Sequence, residues 1–221
     1  MRLAVCPDCP ATRNSVFASL VSDGSACAFR CIALGARQPF PVDWLVTYGM
    51  ALVRRGVVVR QRTDARGGAT AIDAVGAGGL LPLGDANDPS SSAYAAGDTM
   101  LCLCPREPLR AAVDAGAPTS SEMLALHASA LDRVERLADA RSRATALGRV
   151  AAALCALADT LTPPRRLDTI PAALQQRDLA ALMALRHESV CRALGLLEGS
   201  GAIQHGRDGI RLLDRTRLEA V

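Results

Sequence analysis

Six of the chain's eight cysteines fall into three pairs: Cys6 and Cys9, Cys27 and Cys31, Cys102 and Cys104. Thiolates at C-x2-C spacing can clamp one soft metal centre from a single loop. The Cys6/Cys9 and Cys27/Cys31 pairs are separated by 17 residues, close to the spacing of structural zinc sites. Metal-free thiols are the other reading of the same residues. Cys155, in an Ala/Leu-rich stretch, reads as a small core residue, and Cys191 as a filler of a small site. A second kind of chemistry stands near the other end, where His187, Glu188, Ser189 and Arg192 share the polar side of a helical pattern. An Arg pairs bidentately with guanine O6 and N7, and a Glu carboxylate accepts from cytosine N4.

The elements that position these side chains can be read from periodicity. Between Leu174 and Ile203, the apolar residues Leu179, Leu182 and Met183, then Val190, Leu194 and Leu197, fall at helical spacing in two runs. Ala184 to His187 between them has the length of the turn in a helix-turn-helix. The second helix is expected to begin near His187 and to bury Val190, Leu194 and Leu197. Beyond it, two short apolar runs, Gly201 to His205 and Ile210 to Leu213, flank the turn Gly206 to Gly209 and read as a β-hairpin wing.

The run from Asp178 to Ile203 closely resembles the helix-turn-helix of the Crp/Fnr transcription regulators, which carry E-T-V/I-x-R at the start of the recognition helix. Glu188, Ser189, Val190, Cys191 and Arg192 match that pattern. The resemblance implies that Glu188 and Arg192 read bases and that His187 helps to set the half-site. With Gln176, Arg186 and Ser189 they form the expected DNA-binding set. The turn Gly of many members is Ala184 here, and the usual capping Thr is Gln175. The partners implied are a palindromic double-stranded operator, a second copy of the chain, and RNA polymerase.

The same resemblance bears on the cysteines. Fnr-type members hold a [4Fe–4S] cluster through an N-terminal cysteine group and one distant cysteine in the β-roll, within a pattern like M-V-C-x-I-P. Met100 to Pro105 resembles that pattern, with Cys102 at the matching place, and Cys6 and Cys9 match the leading C-x2-C. The family's third N-terminal cysteine is replaced by Ser15, so Cys27 or Cys31 would have to substitute. The expected ligand set is Cys6, Cys9, Cys27, Cys31 and Cys102, for an iron–sulfur cluster, with zinc or no metal as alternatives. Cys104 shares a strand face with Cys102. The region from Gly78 to Ala93 lacks the Glu and Arg with which cyclic-nucleotide members hold ribose and phosphate. Cyclic AMP is therefore not expected.

In chain order, Ser22-Asp23 is expected to cap a helix running to about Leu34, with Cys27 and Cys31 on one face. From Asp43 to Cys104 the pattern becomes short β-like runs punctuated by Gly and Asp: Trp44 to Tyr48, Ala51 to Arg54, Val57 to Gln61, Thr70 to Val75, Leu80 to Leu83 and Thr99 to Cys104. Ala51 to Val59 resembles a hairpin of the family's β-roll. A long helix from about Ser120 to Arg143 carries Leu124, His127, Leu131 and Val134 at heptad steps, an expected dimer seam. A second helix, Thr145 to Leu161, ends at the breaker Pro163-Pro164.

The expected fold is α+β: an N-terminal antiparallel β-roll sensor domain, a long dimerisation helix and a C-terminal winged helix-turn-helix. The expected divisions are 1–34 as a cysteine-containing segment, 35–118 as β-roll, 119–162 as the two helices and 163–221 as the DNA-binding domain. All 25 basic residues are Arg, and the net charge of +3 does not by itself argue for nucleic acid. From Pro163 onward there are 9 Arg against 7 acids, a local balance of +2. No leader and no run near the ~20 apolar residues of a membrane helix is visible, so a cytoplasmic protein with reduced thiols is expected. No nucleophile–base set or phosphate loop argues for an enzyme.

Overall fold

The computed structural model describes residues 29–83, 90–115, 117–161 and 168–221. Two antiparallel sheets form the N-terminal part. The first has four strands in the order β1 (Arg30–Leu34), β7 (Thr99–Pro105), β2 (Tyr48–Arg55), β5 (Leu80–Pro82). The second has three, β4 (Ala69–Val75), β3 (Val58–Thr63) and β6 (Ser91–Ala95). Alternation along the strands sends Val53, Leu101, Leu103, Val58 and Val75 between the sheets, where they pack with Trp44 and Tyr48. The opposite side of the first sheet presents Met50, Leu52, Cys104 and, half-buried, Cys102 to Leu109, Met123 and Leu126. These last three lie on α2 (Arg106–Ala115) and α3 (Ala117–Ser142).

Three expectations are corrected here. Arg30–Leu34 is not the end of a helix but strand β1, paired antiparallel with β7. Its Ile32 and Leu34 turn into the core at strand spacing, which a helix of that length could not offer. Trp44 to Tyr48 is not a strand: Asp43–Thr47 forms the short helix α1, and β2 starts at Tyr48. In that helix Trp44 meets Phe40 at a tilt and Tyr48 edge to face, packing of the kind that overrides β-forming composition. The Ala51 to Val59 segment is no paired hairpin, because β2 and β3 belong to different sheets. The chain crosses between them at Gly56, whose φ of +92° and closeness to Thr99 leave no room for a side chain.

Helix α3 spans 26 residues, about 39 Å at the usual rise. It packs on its own chain through Ala130, Leu137 and Ala140 and is followed by α4 (Ala146–Leu161), the central helix of the largest core. That core is continuous from Val59 and Ala71 of the second sheet and Val57 just before it, through Leu154 and Leu157 of α4, to Leu179, Leu194 and Ile210. The C-terminal unit therefore packs on the β-roll as well as on the helices. Its elements are β8 (Thr169–Pro171), α5 (Gln176–Met183), α6 (His187–Gly199), β9 (Ile203–Gly206), β10 (Gly209–Leu212) and α7 (Arg215–Glu219). Strands β8, β10 and β9 form a small antiparallel sheet, the wing. Among the described residues no helix is long and apolar enough to cross a membrane.

Candidate DNA-reading face

Helix α5 ends where Ala184 takes a left-handed conformation, φ 51° and ψ 45°. The amides of Ala184 and Leu185 turn back to the carbonyls of Ala181 and Ala180, a Schellman-type closure usually made with Gly. Two residues later α6 begins with Arg186 at its N-cap. Val190, Ala193, Leu194 and Leu197 are buried against the core. The opposite side is thereby turned outward, and Arg186, His187, Glu188 and Arg192 are exposed, while Ser189 is half-buried. Gln176, on the first turn of α5, accepts a hydrogen bond from the Cys191 thiol at 2.9 Å. This bond ties the two helices together, and Cys191 also lies 3.6 Å from Nδ1 of His187.

The wing is fastened to α6 at its base. Glu198 accepts from the backbone N–H and from Nδ1 of His205, both at 2.9 Å. These bonds, the backbone one foremost, hold the Glu198 carboxyl below its ordinary range. Arg207 and Arg211 of the wing are exposed, as is Arg177 on α5. The mildly basic balance is thus carried by arginines on both helices and the wing, the form in which phosphate contacts are made.

Asp178 is wholly buried and joins this unit to the β-roll. Its carboxylate accepts from the backbone N–H of Gln175 at 2.9 Å, closing the start of α5. It also accepts from Tyr94 Oη at 2.7 Å and from the Arg37 guanidinium, which lies 4.1 Å over the Tyr94 ring. Arg141 of α3 makes a second tie, donating to the carbonyls of Leu182 on α5 and Ala71 on β4. Burial lowers the Arg141 pKa. Apart from the bond between Gln175 and Asp178, three residues apart, none of these contacts follows from local spacing. The sole sequence signal was an acid at the third position of a helix expected to be capped.

The expected seam residues are laid along one side of α3. Leu124 and Leu131 are 73% and 58% exposed, His127 is exposed and Val134 half-buried. Nδ1 of His127 donates to the Met123 carbonyl at 2.8 Å. Of the expected metal set, Cys6, Cys9 and Cys27 lie outside the described residues. Cys31 is exposed on β1, directly opposite Cys102 on β7. Cys104 is buried, and burial, with Cys102 beside it, pushes its thiol up to about 12. Among the described residues no three His, Cys, Asp or Glu side chains converge.

Two helices joined by a tight turn, a wing behind them and an outward polar face are the geometry that a family comparison decides. The model of the Crp-like helix-turn-helix domain matches residues 148–221. Over these residues the chain is similar to Crp-like helix-turn-helix domains. Solved structures extend the likeness to the rest of the chain. FixK2 from Bradyrhizobium japonicum is 22% identical, with 87% of this chain and 96% of that one covered and a TM-score of 0.72. A cyclic nucleotide-binding domain containing protein from Listeria monocytogenes EGD-e is 13% identical, covering 94% and 99%, at 0.70. A Crp/Fnr-family transcriptional regulator from Thermus thermophilus is 24% identical, covering 87% and 99%, at 0.56. At these identities the likeness is one of fold: β-roll, helices and Crp-like helix-turn-helix domain stand in the same order. No curated protein matches the chain by sequence.

Proposed function

We propose that this chain is a homodimeric, sequence-specific DNA-binding transcription regulator of the Crp/Fnr type, acting in the cytoplasm with RNA polymerase as a further partner. The observation that carries the reading is α6, the second helix of a Crp-like helix-turn-helix domain, with Glu188 and Arg192 exposed and the opposite side buried. Such a helix fits the major groove, and a dimer that presents two of them reads two half-sites about one helical turn (~34 Å) apart. Selecting duplexes from a random pool with the full chain tests this. Enrichment of a palindrome with that spacing is expected, and equal affinity for every duplex overturns it.

The signal we assign to the β-roll is oxygen, redox state or nitric oxide, received through a cysteine-held iron–sulfur cluster. Two thiols of the expected set, Cys31 and Cys102, stand on neighbouring strands, and this supports the reading. Cys6, Cys9 and Cys27 are the candidates for the remaining ligands. A bound cluster supplies oxidant-sensitive iron, while the chain supplies thiolates and a sheet face on which α3 rests. Purified without oxygen, the protein is expected to be brown and to hold iron and sulfide, with Cys102→Ser abolishing both. A colourless protein with one bound zinc that survives Cys102→Ser overturns the cluster in favour of structural zinc.

A further inference from the structure

We infer that Cys31 and Cys102, whenever no metal centre holds them, form a reversible, oxidant-closed disulfide site on the helix-facing side of the first sheet. The two residues are direct partners across the antiparallel β1–β7 ladder, so both side chains leave the same face of the sheet. Opposed residues have Cβ atoms about 4.5–5.5 Å apart, while a disulfide takes about 3.5–4.5 Å. A slight pinch of an edge strand closes that gap. Among the described strands β1 is the edge of its sheet, so there only one ladder has to give.

Among the described cysteines Cys31 is the exposed one. Reactive cysteines sit in electropositive, partly exposed surroundings. Cys31 has both, being exposed and accepting a hydrogen bond from the Arg54 guanidinium at 3.2 Å. Cys102 is half-buried beside it, while Cys104 is shut away from solvent on the same face. Peroxide is the oxidant class. Its attack by Sγ of Cys31 gives a sulfenic acid and releases one water. Sγ of Cys102 then attacks that sulfur, its thiol proton leaves with the departing hydroxyl as a second water, and the S–S bond forms. The two electrons lost by the sulfurs have reduced one peroxide.

The bond would stand in the packing under α3. Cys102 packs in the same cluster as Met123 and Leu126, the residues by which the N-terminal half of α3 rests on the sheet. Oxidation therefore ties β1 to β7 at the seat of the helix that carries the expected dimer seam.

The full chain, stripped of metal by a chelator without oxygen and then treated with hydrogen peroxide, tests the site by peptide mapping after alkylation. Cleavage at Arg releases Cys31 in the fragment 31–37 and Cys102 in 67–106. The expected product is these two fragments linked, separated again by dithiothreitol, retained in Cys104→Ala and lost in Cys102→Ser. Circular dichroism checks that each variant is folded, and if Cys102→Ser is not, fragmentation of the linked wild-type peptide locates the bonded sulfur. Fragment 31–37 recovered unlinked, or joined to Cys104 or another cysteine, overturns the inference. Because metal is absent throughout, that outcome is separate from failure of the iron–sulfur reading, which iron analysis decides.

Discussion

Oη of Tyr94, on the β-roll, donates to Oδ1 of Asp178, at the start of the helix-turn-helix, across 84 residues of sequence at 2.7 Å. The carboxylate is wholly buried, so each donor it loses leaves a desolvated charge short of a partner. Tyr94→Phe keeps the ring under Arg37 and removes only the hydroxyl. It should cost about 1.5–3 kcal/mol, the usual range for a hydrogen bond to a charged group. Urea unfolding of the full chain measures it, and a midpoint unchanged from wild type would refute the tie.

The same hydroxyl should titrate late. Burial, then the hydrogen bond to Asp178 and its charge, raise the Tyr94 pKa from 10.0 to about 12, against the opposing pull of Arg37. The folded state holds this proton more tightly than the unfolded chain. Its contribution to stability is therefore complete below pH 10 and is lost as pH climbs through about 12. Tyrosinate absorbance should show one late step belonging to Tyr94, absent in Tyr94→Phe. Ionisation of Tyr94 at its ordinary value would show that the hydroxyl is not held by Asp178.

The turn between α5 and α6 offers a gain in stability. Ala184 sits at φ 51°, a conformation that costs an L-residue about 1–2 kcal/mol and that Gly adopts freely. Ala184→Gly should stabilise the chain by about 1 kcal/mol after Gly's larger loss of backbone entropy. A lowered melting temperature would mean that the left-handed turn does not carry the strain assigned to it.

How far these features could be read from the sequence depended on their range. The helix-turn-helix was legible because Leu179, Leu182, Val190 and Leu194 repeat within a few residues and the wing follows at once. Strand β6, with the sequence Ser91-Ser92-Ala93-Tyr94-Ala95, was missed because small and polar residues hide its alternation. Cys31 was assigned to a helix face from its spacing to Cys27, whereas pairing with β7 put it opposite Cys102. Arg37 and Asp178 lie 141 residues apart, and only the packing of the C-terminal unit on the β-roll brings them together. Periodicity reports on a residue's nearest turn or strand, and these contacts belong to neither.

Leu124 and Leu131 leave an apolar stripe on α3 that no described residue covers. Pairing with a second copy would bury it, and the heptad steps suit two parallel helices. Leu131→Glu, which sets like charges across such a seam, should turn a dimer into a monomer in sedimentation and weaken operator binding. Because Leu131 is 58% exposed, the substitution should leave the fold of the single chain intact. A variant that still sediments as a dimer would remove α3 from the interface.

Arg192 and Glu188 are both exposed on α6 and four residues apart, hence on one side of the helix. A side chain that reads a base and one that grips phosphate both lose affinity when truncated, and they differ in what happens on the wrong sequence. Arg192→Ala should cost about 1–3 kcal/mol on the selected operator, the worth of a bidentate contact to guanine, and little on random duplex. Wing arginines such as Arg207, if they hold phosphate, should weaken both duplexes alike and flatten the salt dependence. Fluorescence anisotropy at several salt concentrations separates the two patterns. Equal losses for Arg192→Ala on operator and random DNA would make Arg192 a phosphate contact and move base reading elsewhere on α6.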